Sequence, residues 1–290
     1  MKVKIFSIYH KEIEPIINND YISPLLVGAK IDNKSGFFQD NSGENISNKN
    51  SLYNELTGIY WVFKNYEKIG NPDYIGFCHY RRYFSFLSLN KSYLELDISD
   101  AKVPLFIDIT DTEIKKISNY DFVAPIPSLR KSVYWNYKMA HGTSDIIKVK
   151  DIIFKKHPEY MELFEEYFSG KRSFYHNMFI FRKEDFFDYC TFIFDILFEL
   201  ENHIDSSNSR MFISERLTGV YIKKLEQKGL NGLYLPTVFL SSPKKTYKES
   251  ISEVKRNLKN KEISFLYALK PLIIFFIPRA IIRKKREKRA

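Results

Sequence analysis

Residues 73–84 read Asp73-Tyr74-Ile75-Gly76-Phe77-Cys78-His79-Tyr80-Arg81-Arg82-Tyr83-Phe84, an apolar run that ends abruptly in an imidazole and two guanidiniums. Asp73 to Phe77 is apolar enough to be a central strand, which tends to be buried on both faces in an α/β sheet. A central strand that delivers charged residues at its carboxyl end marks the place where open α/β sheets keep their ligands. Arginine's planar fork binds phosphate oxygens in pairs, so Arg81 and Arg82 with His79 and Tyr80 suit an anion. The competing account puts one arginine in a salt bridge and the other in solvent.

Outward from that stretch, strand-like and helix-like segments alternate. Val3 to Ile8 reads as a first buried strand followed by Tyr9-His10-Lys11 at its ligand-bearing end. Gln39 to Asn50 is a polar, turn-rich loop leading into a helix with apolar positions at Leu52, Leu56, Ile59, Tyr60 and Phe63. Downstream, Tyr120 to Pro125, Phe174 to Arg182 and Gly232 to Leu240 read as strands. Helices are expected near the start of Ser132–Lys150, over Tyr160–Phe168, Glu184–Asn202 and Ser209–Lys224, and the third is apolar on more than one face, as in a helix between layers. This alternation indicates an α/β class with a mixed sheet flanked by helices.

Composition narrows the function. With 44% hydrophobic residues, 25 Phe and 20 Tyr, the chain has ample core material. Cys78 and Cys190 lie in apolar runs without CxxC spacing, so neither a disulfide framework nor a zinc site is signalled. The start, MKVKIFSIYH, alternates like a strand and lacks a signal peptide's apolar core, which leads us to expect a cytoplasmic body. No GxGxxG, Walker A, HExxH or GxSxG pattern occurs, and there is no internal repeat.

The net charge of +10 is unevenly spread: residues 1–243 carry 30 Lys/Arg against 31 Asp/Glu, and residues 244–290 carry 15 against 4. A near-neutral body argues against nucleic acid as a partner. Two units are therefore expected, a catalytic domain over 1–243 and a basic, apolar tail over 244–290. Within the tail, ISFLYALKPLIIFFIPRAII (263–282) is interrupted by Lys270, Pro271, Pro278 and Arg279, well short of the ~20 apolar residues a spanning helix needs. Seven basic residues against one acidic follow from Arg279 to Arg289. We read residues 263–290 as an amphipathic contact with an anionic membrane surface, the alternative being a solvated basic tail beside a helix docked on the body.

YIGFCHYRRYF (74–84), with DNSGENISNKNSLYNELTGIYWVFKN (40–65) upstream and YHNMFIFRKEDFFDYC (175–190) and MFISERL (211–217) downstream, resembles the capsular and exopolysaccharide biosynthesis family labelled domain of unknown function 4422. The resemblance runs from about Lys2 to Leu240 and omits the tail. It implies a GT-A-like, Rossmann-like glycosyltransferase that uses a nucleotide-sugar donor, with galactofuranose as the sugar where an activity has been assigned. In ordinary GT-A enzymes the corresponding strand ends in a metal-holding Asp-x-Asp; His79-Tyr80-Arg81 stands there instead. The resemblance thus implies that Arg81 and Arg82, with His79, replace the cation. No metal ligand set and no cofactor beyond the UDP-sugar substrate is expected, the alternative being a manganese or magnesium ion without an Asp-x-Asp.

By the same resemblance Asn177 lines the sugar site, unless it merely caps a turn. Glu215 is placed where inverting enzymes carry an acidic residue near the acceptor and becomes the expected base, with Arg216 beside it. Otherwise Glu215 is an ordinary first-turn glutamate stabilised by the helix dipole. Asp40, Asn41, Asn45 and Glu55 look like nucleotide or ribose contacts ahead of a helix N-terminus, or else form a self-satisfied Asx-turn network. Tyr9, His10 and Tyr80 are substrate-side candidates, and His141 belongs near the acceptor or is a structural hydrogen-bonder. The function expected is inverting transfer of galactofuranose or galactose from UDP to a lipid-linked oligosaccharide, at the inner face of the cytoplasmic membrane. Its rivals are a retaining hexosyltransferase or sugar-phosphate transferase, and a non-catalytic assembly factor.

Overall fold

The computed structural model describes residues 1–10, 17–28, 37–204 and 211–241, together with 251, 252 and 254. Nearly all of the expected tail, including residues 263–290, lies outside the described residues.

The strands are β1 (Val3–Tyr9), β2 (Ile22–Leu26), β3 (Phe38–Gln39), β4 (Tyr74–His79), β5 (Arg82–Phe84), β6 (Tyr93–Asp97), β7 (Phe122–Pro125), β8 (Ser128–Leu129), β9 (Arg172–Ser173), β10 (Phe179–Arg182), β11 (Gly232–Leu235) and β12 (Thr237–Ser241). The helices are α1 (Asn50–Tyr53), α2 (Leu56–Lys64), α3 (Val103–Ile107), α4 (Asp111–Ile117), α5 (Val133–His141), α6 (Ser144–Lys156), α7 (Met161–Ser169), α8 (Lys183–Glu201) and α9 (Ser214–Gln227).

The main sheet runs β11-β7-β10-β4-β1-β2-β3. β1 lies parallel to β2 and β4, whereas β10 runs antiparallel to both β4 and β7. The mixed α/β sheet is thus as expected. Period-two alternation divides its side chains between two cores. Phe6, Ile8, Ile75, Phe77, Phe179 and Phe181 face a large cluster beneath α2 and α6–α9. Val3, Ile5, Tyr74, Cys78 and Ile180 face a smaller one shared with α3 and α4.

The abundant aromatics stack inside the larger core: the Phe77 and Phe179 rings are 5.4 Å apart, and Phe179 lies 4.2 Å from Phe181 and 4.9 Å from Tyr189. Such contacts stabilise beyond the area they bury. α8 contributes Phe186, Tyr189, Ile193 and Leu197 to this core, buried on a broad face as expected of a sandwiched helix. Gly76 lets the strands approach, because a Cβ there would stand 2.7 Å from Ile180 Cγ1 and 3.0 Å from Ile5 Cγ1.

Three expectations need correction. The segment 174–182 is not one strand: β10 begins only at Phe179, because His176 and Asn177 adopt positive φ of 74° and 47° and turn the chain. Gly232–Leu240 splits at Pro236 into β11, beside β7, and β12, which leaves the main path to pair with β5 and β6. The single helix expected after the 39–50 loop is two, α1 and α2, because Asn54 turns the chain at a φ of 51°; beyond β4, Tyr80-Arg81 form a tight hairpin turn, with His79 opposite Arg82.

Candidate functional site

The parallel strands β1, β2 and β4 end on one side of the sheet, and an open cleft of about 390 Å³ lies there. Ile8 and His10 reach it from β1, Val27 from just beyond β2, and His79, Tyr80 and Arg82 from the β4–β5 hairpin. Asn54 and Glu55 enter from the α1–α2 junction, while Phe212, Ser214 and Glu215 come from the start of α9. This is the position at which α/β sheets bind ligands.

On the α9 wall, Glu215 Oε2 accepts a hydrogen bond from Arg216 Nη1 at 2.8 Å, and Glu215 Oε1 is 3.7 Å from His176 Nδ1. The Arg216 guanidinium is buried and lies 4.4 Å from the Tyr175 ring centroid, over its face. Packing therefore fixes the cation, and the cation fixes the carboxylate. Behind this wall Asn177 is buried: its Nδ2 donates to Glu55 Oε1 at 2.9 Å and to Ser214 Oγ at 3.0 Å, and its Oδ1 accepts from Thr218 Oγ1 at 2.7 Å. One side chain thereby ties the α1–α2 junction to the first two turns of α9.

On the hairpin wall, burial holds the Arg82 pKa below its ordinary value while Glu215 and Glu55 oppose that drop. Arg82 thus faces two carboxylates. Burial pushes the Glu55 carboxyl up. The His79 Nε2–H donates to the His176 carbonyl, leaving Nδ1 as the lone-pair nitrogen. Burial, and then the charge of Arg82, drive the His79 pKa down to about 4. Burial likewise depresses His176 well below an ordinary imidazole, with Arg82 adding to the drop. Both imidazoles are accordingly neutral at pH 7.

The cleft gathers His10, Glu55, His79, Tyr80, Arg82 and Glu215 from the sequence candidates. Others stand one layer behind. Tyr9 is buried with its hydroxyl 3.2 Å from that of Tyr83, and Asn177 and Arg216 brace the wall as described. The His141 ring stacks on Phe212 at 4.7 Å. Asp40 is buried and accepts from the Gly28 amide at 3.1 Å and from the Ser47 hydroxyl, which fixes the loop behind Val27.

Asn41 and Asn45 are not among the lining residues. Asn45 closes its own turn, with Nδ2 donating to the Gly43 carbonyl at 2.8 Å and Oδ1 accepting from the Ser47 amide at 3.1 Å. Arg81 is not among them either; its guanidinium lies over the Tyr80 ring, 5.3 Å from the centroid.

Sequence reasoning missed Asn54, His176, Ser214 and Phe212. The structural mark of the first two is backbone strain: Asn54, His176 and Asn177 have positive φ without being glycine, and all three stand at the cleft or directly behind it. Such conformations persist where surrounding contacts enforce them, and they concentrate at functional sites. Ser214 and Phe212 flank Glu215 closely enough that one helix start places all three.

The chain belongs to the family described as a domain of unknown function (DUF4422), which matches residues 4–228. Among curated proteins none matches it. Among solved structures it is similar to the apo structure of the WbbM bifunctional glycosyltransferase, with 31% sequence identity and a TM-score of 0.74. The match covers 83% of this chain and 46% of WbbM, so the chain spans less than half the length of that protein. The expected family and the glycosyltransferase-like mixed α/β fold are both borne out.

Proposed function

We propose that this member of the DUF4422 family is a glycosyltransferase that moves a sugar, galactofuranose or galactose, from a UDP donor to a lipid-linked oligosaccharide with inversion. It would build a capsule, O-antigen or exopolysaccharide repeat at the inner face of the cytoplasmic membrane, held there by residues 263–290. Among the described residues no helix is long and apolar enough to cross a membrane. The observation that carries the reading is Glu215, a carboxylate held at the cleft by the buried Arg216, with the cation Arg82 on the opposite wall.

In this reading Glu215 takes the proton of the acceptor hydroxyl as its oxygen attacks the anomeric carbon. The bond from that carbon to the diphosphate oxygen breaks, and UDP leaves with the electron pair. Arg82 stabilises the charge that develops there. Positioned bases contribute roughly 10²–10⁴-fold, and a single preorganised donor to developing charge about 10²–10³-fold. His79 donates to the His176 carbonyl and so keeps the hairpin wall in register with Asn177.

In this reading the end of β4 offers a guanidinium where a divalent cation would otherwise sit: His79 directs Nε2 to a carbonyl and Arg82 brings positive charge. We assign charge stabilisation to Arg82 in its place, with Arg81 contributing only from beyond the lining.

The test is UDP release by the purified full chain, offered a panel of UDP-sugars including the galactofuranose donor with a lipid-linked acceptor, in excess chelator or with added manganese. Turnover that survives the chelator and is lost in Arg82→Ala supports the reading. Turnover restored only by manganese would overturn the role of Arg82, and no turnover with any donor would overturn the transferase.

A further inference from the structure

α5 displays an outward face unlike that of a water-facing helix, which ordinarily turns charged and polar residues to solvent. Its inner face is Val133 and Tyr137, both buried. On the outer face Trp135 is 42% and Met139 66% exposed, one turn apart, with Lys138 between them. Just before the helix, Leu129 is 73% exposed at the end of β8, and the Lys131 ammonium lies 5.6 Å from the Trp135 ring centroid. At the other end the His141 ring stacks on Phe212, itself 45% exposed and part of the cleft wall. His141 lies on the Tyr137 side of the helix, so the end of α5 abuts the cleft wall while Trp135 and Met139 face outward.

Charge supplies the second observation. Between Asp121 and Asp145 the sequence holds Arg130, Lys131 and Lys138 and no acidic residue. Arg130 turns inward, its Nε donating to the Tyr175 hydroxyl at 3.0 Å, so Lys131 and Lys138 carry the positive charge of this face. Large apolar side chains, a tryptophan and interspersed lysines form the combination that rests in the headgroup region of an anionic bilayer. A polar partner protein would leave Leu129 and Met139 without apolar contact, whereas a bilayer takes both the side chains and the charge.

We propose that the 129–139 face of the folded body docks on an anionic lipid surface, separately from the tail, and so holds the nearby cleft close to a membrane-embedded acceptor. The inference rests on the transferase reading only for the identity of that acceptor.

The two tryptophans provide the experiment. Trp61 is buried with its Nε1 donating to the Ser42 carbonyl, and the tail contains none, so Trp135 reports on this face alone. The full chain is added to vesicles of phosphatidylglycerol and phosphatidylcholine. We expect a blue shift in emission, quenching by brominated acyl chains, and loss of both signals in Trp135→Phe. Trp135→Ser combined with Met139→Ser should weaken vesicle binding about tenfold, given the apolar area withdrawn from water.

Vesicle-bound protein whose Trp135 stays open to aqueous iodide would overturn the inference and leave the contact to the tail. Absence of vesicle binding would overturn it as well. So would protection of Trp135 by a lipid-free oligosaccharide alone, which would make the face a sugar platform. UDP release by the unaltered chain with a lipid-free acceptor keeps the two readings apart: docking without turnover strikes the transferase, and turnover without docking strikes this face.

Discussion

His79 ends β4 and Asn177 lies in the turn just ahead of β10, its antiparallel neighbour, but different physics holds each of them in place. β4 carries its chemistry in the side chains, and the two-residue turn at Tyr80-Arg81 sends Arg82 into the cleft lining while Arg81 lies over Tyr80. The approach to β10 carries its chemistry in the backbone: two successive left-handed residues swing the His176 carbonyl toward His79 and bury the Asn177 amide between Glu55 and Ser214. The hairpin presents charge to a ligand, and the strained turn keeps the opposite wall where that charge can be used. Perturbing the first should cost rate, and perturbing the second should cost stability.

The largest effect expected is on the base that the second region braces. Glu215→Gln should lower transfer roughly 10²–10⁴-fold while leaving the folded state intact. Undiminished transfer would remove the α9 wall from the chemistry. Next, Arg82→Ala should cost about 10²-fold in kcat, and Arg81→Ala less than about tenfold, as befits one donor to developing charge and one bystander. Equal losses would break the claim that the hairpin separates them.

Asn177→Ala should destabilise the fold by about 2 kcal/mol in denaturant melts, because it strips partners from Glu55, Ser214 and Thr218 at once. A melt like that of the unaltered chain would mean the network does not hold the wall.

The smallest expected effect is a pH dependence. His79 is depressed to about 4 in the folded state, against about 6.5 when unfolded, so between those values the unfolded chain binds more protons. Its contribution is complete above pH ~6.5 and is lost as pH falls toward 4. His176 adds in the same direction. His79→Gln should flatten the fall in melting temperature over that window, and an unchanged slope would place the titration elsewhere.

The same contrast decides what could be read from sequence. Strand β4 and its basic end were legible because residue type alone announced them, as it did the helix that carries Glu215. β2 passed unnoticed, since Ile22-Ser23-Pro24-Leu25-Leu26 is short and holds a proline, although all five residues are buried. The turn at His176-Asn177 was hidden inside an apolar run, because a positive φ in a non-glycine residue leaves no mark in composition. Asn41 and Asn45 looked like ligand residues by type, yet Asn45 serves its own turn, the common fate of asparagine in loops. Arg81 and Arg82 are adjacent in sequence and were treated as a pair; only the turn between β4 and β5 distinguishes them.

The central claim, that the cleft between the hairpin and α9 receives the nucleotide-sugar, is tested most directly by amide hydrogen exchange of the full chain with and without UDP. The account expects slowed exchange at residues 8–10, 50–55, 79–82 and 211–215, reduced in Arg82→Ala. Protection confined to other segments, with these four unchanged, would contradict it.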